Sequence, residues 1–322
     1  MAKKSKLVKF ALGKFIRELR LAKGLTLESL CTGDSFSETD GAICDAGELG
    51  KYERGERQPR WDKFEKIMQR HGEDPHKYYQ GYALTEQDRE WTEKKNRLKF
   101  LAREENPENI EKSEALIHEL EQDECFSKSK LNRQFLLYTK ALLSYHCEEY
   151  KTMYDTAYEG IKITKPLFDE DKIDTYVLFF DEIQLVNLIA ISHFHISSIE
   201  RSTNVFLKLK KCLDSGYVDE EEKSKTYIRI LFNLSNNLGQ LGRYDECISI
   251  CEIGIEFCGK YQHSHHYPLF LFNKGVCLIC LDRKEEGISI LKDVSTLFNA
   301  FKRFAELSHM EKFVEKEFGI KL

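Results

Sequence analysis

Proline is scarce in this chain, 5 among 322 residues, and glycine reaches only 18. So few breakers exclude a collagen-like or proline-rich extended chain and leave little of the turn chemistry that a many-stranded barrel needs. Long apolar runs are missing as well. The best candidate, Val177 to Ile199, is interrupted by Asp181, Glu182, Gln184, Asn187, His193 and His195, so it is expected to be a soluble helix, and no membrane is expected as a partner. The basic opening Met1 to Lys6 leads into a stretch broken by Lys9 and Lys14 with no small-residue cleavage site after it, so no signal peptide is expected. Also lacking are a phosphate-cradling glycine loop, a nucleophile elbow, a metalloprotease helix and any alternation of strand with helix. Enzymatic activity is therefore not expected, and neither is a cofactor.

What is present is charge and helical periodicity. Charged residues make up 32% of the chain, and apolar residues recur every three or four positions, which predicts an all-α protein. A length of 322 residues exceeds what one core usually serves, roughly 250 to 300 residues, so two folding units are expected, residues 1–80 and 85–322. The first 80 residues hold 16 Lys and Arg against 13 Asp and Glu, whereas the remainder holds 33 against 41. A mildly basic head on an acidic body suits a head that meets a polyanion. The ten cysteines are scattered, mostly within apolar helical segments, and read as reduced thiols of a cytoplasmic protein.

In the head, Phe15, Ile16, Leu19 and Ala22 share one face of a first helix that Gly24 ends. Thr26 caps a second helix, with Leu27 and Leu30 facing inward and Glu28 near the positive end of its dipole. After an irregular stretch from Thr32 to Gly41, Asp45 is placed to cap a helix over Ala46 to Arg54, which Gly55 stops. Pro59 opens a fourth segment with Trp61, Phe64, Ile67 and Met68 at helical spacing, and Gly72 with Pro75 closes the unit.

The segments Ile16-Arg17-Glu18-Leu19-Arg20, Lys23-Gly24-Leu25-Thr26 and Tyr52-Glu53-Arg54-Gly55-Glu56-Arg57-Gln58-Pro59 resemble, in order, the Xre (phage-repressor-like) helix-turn-helix family over about 65 residues. The resemblance implies a second motif helix in the major groove of double-stranded DNA, with neighbouring groups on phosphates. It further implies that Arg20 braces Glu53, that Thr26 touches phosphate, and that Ala46, Gly47, Glu48 and Lys51 face the bases. Phosphate contacts would fall to Lys51, Arg54, Arg57 and Arg60, with Lys3, Lys4 and Lys6 as an arm. Here the connection before that helix is about eight residues longer than usual and carries Asp34, Glu38 and Asp40, while Leu27 stands where Gln is common.

His71 to Tyr82 reads as a hinge, and a charged connector helix follows to about Arg103. Beyond it a repeat emerges. Asn233-Leu234-Ser235, Gly242, Tyr244, Cys247, Cys251 and Gly254 have the small, aromatic and small positions of a tetratricopeptide repeat, and forty residues on come Asn273-Lys274-Gly275 and Gly287. Ala141, Tyr150, Met153, Ala157 and Gly160 form an earlier copy, and Asn187-Leu188 marks another. About five helix pairs and a capping helix near Phe301 to Phe318 are expected, curled into a right-handed superhelix.

The first helices of such pairs line a concave groove suited to an extended peptide. Asn187, Asn233 and Asn273 recur at equivalent places, Asn236 lies one turn on from Asn233, and Tyr138, Gln184 and Arg229 are their expected neighbours. An amide both donates to and accepts from a peptide backbone, and a guanidinium pairs with a carboxylate. The plainer reading is that these asparagines brace adjacent repeats. An Xre-type head on such a body resembles the peptide-responsive regulators of Gram-positive bacteria of the Rgg, PlcR and PrgX type. That resemblance implies a homodimer whose heads respond to a short signalling peptide in the groove; the alternative is a repeat scaffold with a vestigial helix-turn-helix that sequesters a protein partner.

Three smaller groupings read as structural. Cys277 and Cys280 form a C-x-x-C inside an apolar helix with no second pair, and are expected in the core. His263, His265 and His266 are expected in a turn between repeats, and His193 and His195, two residues apart, fall on different faces of their helix.

Overall fold

The computed structural model describes residues 6–32, 43–73, 75, 86–103, 106–215 and 220–322. Every regular element among them is helical. The chain divides into two compact units that meet between Arg97 and Leu98. That junction falls inside the helix Glu86–Leu101, so the connector belongs in part to each.

The first unit holds α1 (Lys6–Ala22), α2 (Leu27–Thr32), α3 (Ala46–Glu53) and α4 (Trp61–Arg70). Its core gathers Leu12 and Ile16 from α1, Leu30 from α2, Leu49 and Tyr52 from α3, and Phe64, Ile67 and Met68 from α4. Burying each large side chain contributes about 1.5–3 kcal/mol. α1 crosses α3 closely because Gly13 has no Cβ; one added there would collide with the Tyr52 carbonyl and come within 2.8 Å of that of Glu53. The caps follow the sequence. Thr26 Oγ1 accepts from the Ser29 amide at 3.1 Å while its own amide donates to Ser29 Oγ, and Asp45 accepts from the Glu48 amide at 2.7 Å. His71, placed by the sequence reading in the hinge, is instead buried, and its carbonyl accepts from Lys23 Nζ at 2.8 Å. Of the rest of that hinge, Asp74 and residues 76–82 lie outside the described residues, as does most of the irregular stretch before α3.

With the connector as α5, the second unit continues with α6 (Pro107–Gln122) and a single turn, α7 (Glu124–Ser127). Four full helix pairs follow: α8 (Lys130–His146) with α9 (Tyr150–Thr164), α10 (Phe180–Ile196) with α11 (Ile199–Asp214), α12 (Glu220–Gln240) with α13 (Tyr244–Tyr261), and α14 (Tyr267–Cys280) with α15 (Lys284–Ala300). α16 (Phe304–Phe318) ends the array. Four pairs rather than about five are complete among the described residues, because the helix after α6 stops after one turn at Ser127. Each helix packs on the next, and α8, α10, α12 and α14 also pack on one another in sequence, so the first helices of the pairs form one wall.

Close approach within pairs rests on small residues. A Cβ on Gly287 would lie 2.6 Å from the Gly275 carbonyl, so α14 and α15 meet backbone to backbone there. The turns share a signature that the sequence reading did not register. Glu148, Gly242, Asp282 and Lys302 all adopt positive φ, of 58°, 70°, 62° and 57°, one residue before the N-cap of the next helix. Arg243, Arg283 and Arg303 then each bond the glutamate three residues on. One segment departs from the period. Between α9 and α10 a 3-10 helix, Glu170–Thr175, buries Glu170, which accepts from the Tyr154 hydroxyl at 2.8 Å, from His193 Nε2 at 2.7 Å and from Arg201 at 3.0 Å.

Candidate functional site

Two surfaces collect the residues singled out by the sequence. On the head, α3 carries Ala46, Gly47, Glu48 and Lys51, with Lys51 and Gly47 exposed and Ala46 and Glu48 half-buried. Glu48 is engaged from within the unit: it accepts from the Tyr52 hydroxyl at 2.5 Å and from Lys63 Nζ at 2.7 Å, and Arg57 stands 3.5 Å away. Those hydrogen bonds, Lys63 first and Tyr52 next, hold its carboxyl below the usual carboxylate range. Arg54 is exposed and pairs with Glu56 at 2.6 Å, Arg60 is exposed at the N-cap of α4, and Thr26 is exposed at the cap of α2. Lys3 and Lys4 of the anticipated arm, and Asp34, Glu38 and Asp40, lie outside the described residues.

In the repeats, a cavity of about 400 Å³ opens against α8, α10 and α12. Six of the seven residues anticipated for a groove line it: Tyr138, Gln184, Asn187, Arg229, Asn233 and Asn236. Asn273 does not. It lines a neighbouring cavity, where its Nδ2 donates to Ser235 Oγ at 2.9 Å and Asn236 Oδ1 at 2.7 Å, so it braces α14 against α12. The inter-repeat brace that the plainer reading assigned to the recurrent asparagines is also made by Asn237, which donates to Ser202 Oγ at 2.9 Å.

Arg229 dominates the electrostatics of the first cavity. Its guanidinium donates to Gln184 Oε1 at 3.0 Å, and Gln184 in turn donates to Thr226 Oγ1, which fixes the amide's orientation. Among the described residues no carboxylate pairs with it. Desolvation pulls Arg229 below its ordinary value, opposed by the Tyr138 hydroxyl and reinforced by Arg103, yet the side chain remains exposed. Arg229 is thus an exposed yet partly desolvated cation at the lining of this cavity. Nearby, Asn187 is buried at 6% exposure with an Oδ1 that accepts no hydrogen bond. An orphaned acceptor of this kind costs about 1–3 kcal/mol unless a donor reaches it. A site with a cation and an unsatisfied amide can take a carboxylate and a backbone N–H together.

Tyr145, Phe194, His195, Phe232, Gln240 and His266 also line the cavity and were not anticipated. Helical spacing extends from residues already chosen to most of them: Tyr138, Leu142 and Tyr145 on α8, Gln184, Leu188, Ile191 and His195 on α10, and Arg229, Phe232, Asn236 and Gln240 on α12. His266 comes from the turn before α14, and burial, with the neighbouring His265, His263 and Arg229, pushes it down to about 4. It is therefore neutral near pH 7. His195 stacks face to face on Tyr150 at 3.5 Å, whereas His193 is tied to Glu170, so the two are directed apart. Of the C-x-x-C pair, Cys277 is buried as anticipated but Cys280 is exposed in the neighbouring cavity.

No family model matches the chain, and no curated protein does. Solved structures do. The chain is similar to Bacillus thuringiensis PlcR in complex with the peptide PapR7 and DNA, with a TM-score of 0.64 at 18% identity over 94% of this chain and 99% of that one. A Listeria monocytogenes EGD-e protein described as a transcriptional regulator gives 0.63 at 18% identity over 95% and 98%. ComR from S. thermophilus, in complex with DNA and its signalling peptide ComS, gives 0.57 at 16% over 94% and 97%. At such identities the likeness is one of fold, a helical head followed by helical repeats, and it extends along nearly the whole chain. No helix among the described residues is long and apolar enough to cross a membrane.

Proposed function

We propose that the chain is a transcriptional regulator that binds double-stranded DNA through its head and a short signalling peptide in the groove of its repeats, acting as a cytoplasmic homodimer rather than as an enzyme. The observation that carries this reading is Arg229, a desolvated yet accessible guanidinium facing a cavity that also holds the orphaned Asn187 Oδ1. A peptide supplies what both groups lack, a carboxylate and an N–H donor. The fold likeness to PlcR and to ComR, each solved with DNA and a peptide together, supports pairing the two surfaces in one molecule.

On the head, Lys51, Arg54, Arg57 and Arg60 would meet phosphates and the exposed side of α3 the base edges, with Thr26 at a phosphate. Peptide control requires that the peptide bind two conformations of the dimer with different affinity, since equal affinity shifts nothing. One observation favours the second reading, a repeat scaffold that sequesters a protein. Glu48, central on α3, is anionic and engaged with Lys63 and Tyr52, which leaves the reading face few hydrogen-bonding arms. Titrating the full chain with a duplex from the flank of its own gene at several salt concentrations separates the two. Nanomolar binding that is specific and falls steeply with salt supports the regulator, whereas micromolar binding blind to sequence supports the scaffold.

A further inference from the structure

The second cavity, about 490 Å³, lies against α12, α14 and α16 and differs in character from the first. Phe272, Val276, Phe313 and Phe318 wall it, together with the thiols of Cys247, Cys277 and Cys280. Cys247 and Cys277 are buried; the hydrogen bond with Cys251 raises Cys247, that with Cys247 raises Cys277, and desolvation adds to both. Both thiols therefore stay protonated and, apart from Glu317 at its lining, this end offers a largely apolar surface. Asn236 and Gln240 line both cavities, which makes them adjoining parts of one trough divided by a polar ridge. Asn236 spends its Oδ1 on Asn273, so its Nδ2 is the group left to meet a ligand carbonyl at that ridge.

We infer that the second cavity is a specificity pocket for one bulky apolar side chain of the same peptide whose carboxylate meets Arg229. The inference rests on the peptide reading above and adds the ligand's composition and spacing. Arg229 and the Asn236 to Gly239 turn are seven to ten residues apart on α12, which is about 10–15 Å at 1.5 Å per residue. An extended peptide covers that in about three to five residues. The recognised ligand is thus an extended peptide of at least about four to six residues, with a carboxylate and a Phe-, Leu- or Trp-like residue about three to five positions apart, and a backbone carbonyl between them over Asn236. Since α16 supplies Phe313 and Phe318, the bulky side chain also touches the helix that ends the array.

The test uses the full chain and a randomised library of synthetic hexapeptides with free carboxyl termini. Peptides retained by the wild-type chain are re-measured against Arg229→Ala and Cys280→Trp, the latter filling the pocket from its exposed rim. Alkylation of Cys280, with exposed Cys125 and Cys147 as internal controls, is followed site by site on the wild type, so the result does not depend on the variant folding. Retained peptides are expected to carry a bulky apolar residue at the stated spacing, to slow Cys280 alkylation about tenfold while Cys125 and Cys147 react as before, and to bind Cys280→Trp about ten- to a hundredfold more weakly. Peptides that need Arg229 yet leave Cys280 alkylation unchanged would overturn the second pocket and leave the peptide reading standing. A library in which nothing binds, or nothing depends on Arg229, would overturn both.

Discussion

Arg20 clasps Glu53 through two parallel hydrogen bonds, Nε to Oε1 at 2.6 Å and NH2 to Oε2 at 2.8 Å, with both residues 8% exposed. The pair joins the end of α1 to the end of α3, and a third guanidinium hydrogen, from NH1, goes to the Leu25 carbonyl at 2.7 Å. Removing one partner strands the other charge, which costs about 3–5 kcal/mol, whereas replacing both with apolar residues is close to neutral. Arg20→Ala is therefore expected to lower the urea midpoint of the head severely, and Arg20→Met with Glu53→Leu to recover most of it. Both tryptophans, Trp61 and Trp91, lie in the first unit, so their fluorescence follows this transition directly. A single Arg20→Ala chain as stable as the wild type would contradict the clasp.

Glu48 sets a second expectation. Its charge lies on the side of α3 assigned to DNA, where it repels phosphate, while Lys51 is exposed on the same helix. Glu48→Gln keeps the shape and is expected to strengthen duplex binding severalfold. Lys51→Ala should weaken it and reduce the salt slope by about one if Lys51 contacts one phosphate. Anisotropy titrations with a labelled duplex at three salt concentrations check both, and unchanged slopes would remove α3 from the interface.

Much of this arrangement was legible in the sequence because it is written in local rules. Gly24, Thr26, Asp45 and Gly55 act within a turn of where they stand, and Arg20 with Glu53 came from a motif. Six residues on α8, α10 and α12 that line the first cavity came from the repeat frame and its neighbours. Beyond that motif-borne pair, contacts that join distant segments were not visible. His266 enters the cavity from a turn with no periodic mark, and Glu170 is buried by Tyr154, His193 and Arg201, which lie 16, 23 and 31 residues away. Asn273 had the period of its companions but not their surroundings, because Ser235 and Asn236 reach it first.

Arg229→Ala is expected to weaken the peptide by about 1.5–3 kcal/mol, the worth of a hydrogen bond to a charged group. Duplex binding by the peptide-free chain should be unchanged. Arg229→Lys retains charge but loses the fork, and should fall between. Calorimetry on the three chains decides; equal affinities would remove Arg229 from the site.

His266 gives the repeats a pH dependence. Its folded value, about 4, lies below the ordinary 6.5, so the unfolded chain binds the proton first. Its contribution is intact above about pH 6.5 and is lost as pH falls toward 4, by about 1–3 kcal/mol in all. His266→Gln removes that component, so its stability is expected to fall less steeply than the wild type's between pH 7 and 4.5 in urea titrations followed by circular dichroism. Parallel curves would show that His266 titrates normally. A bound carboxylate beside Arg229 should also raise the His266 titration, readable by NMR.

The measurement that bears most directly on the central claim is the coupling between the two surfaces. Duplex affinity is determined with and without a saturating groove-binding peptide, and peptide affinity with and without saturating duplex. The account predicts that each ligand changes the other's dissociation constant by one common factor, of about 5 to 150, and that Arg229→Ala abolishes the response at the same peptide concentration. Two affinities that ignore each other, in a chain that binds both ligands, would contradict it.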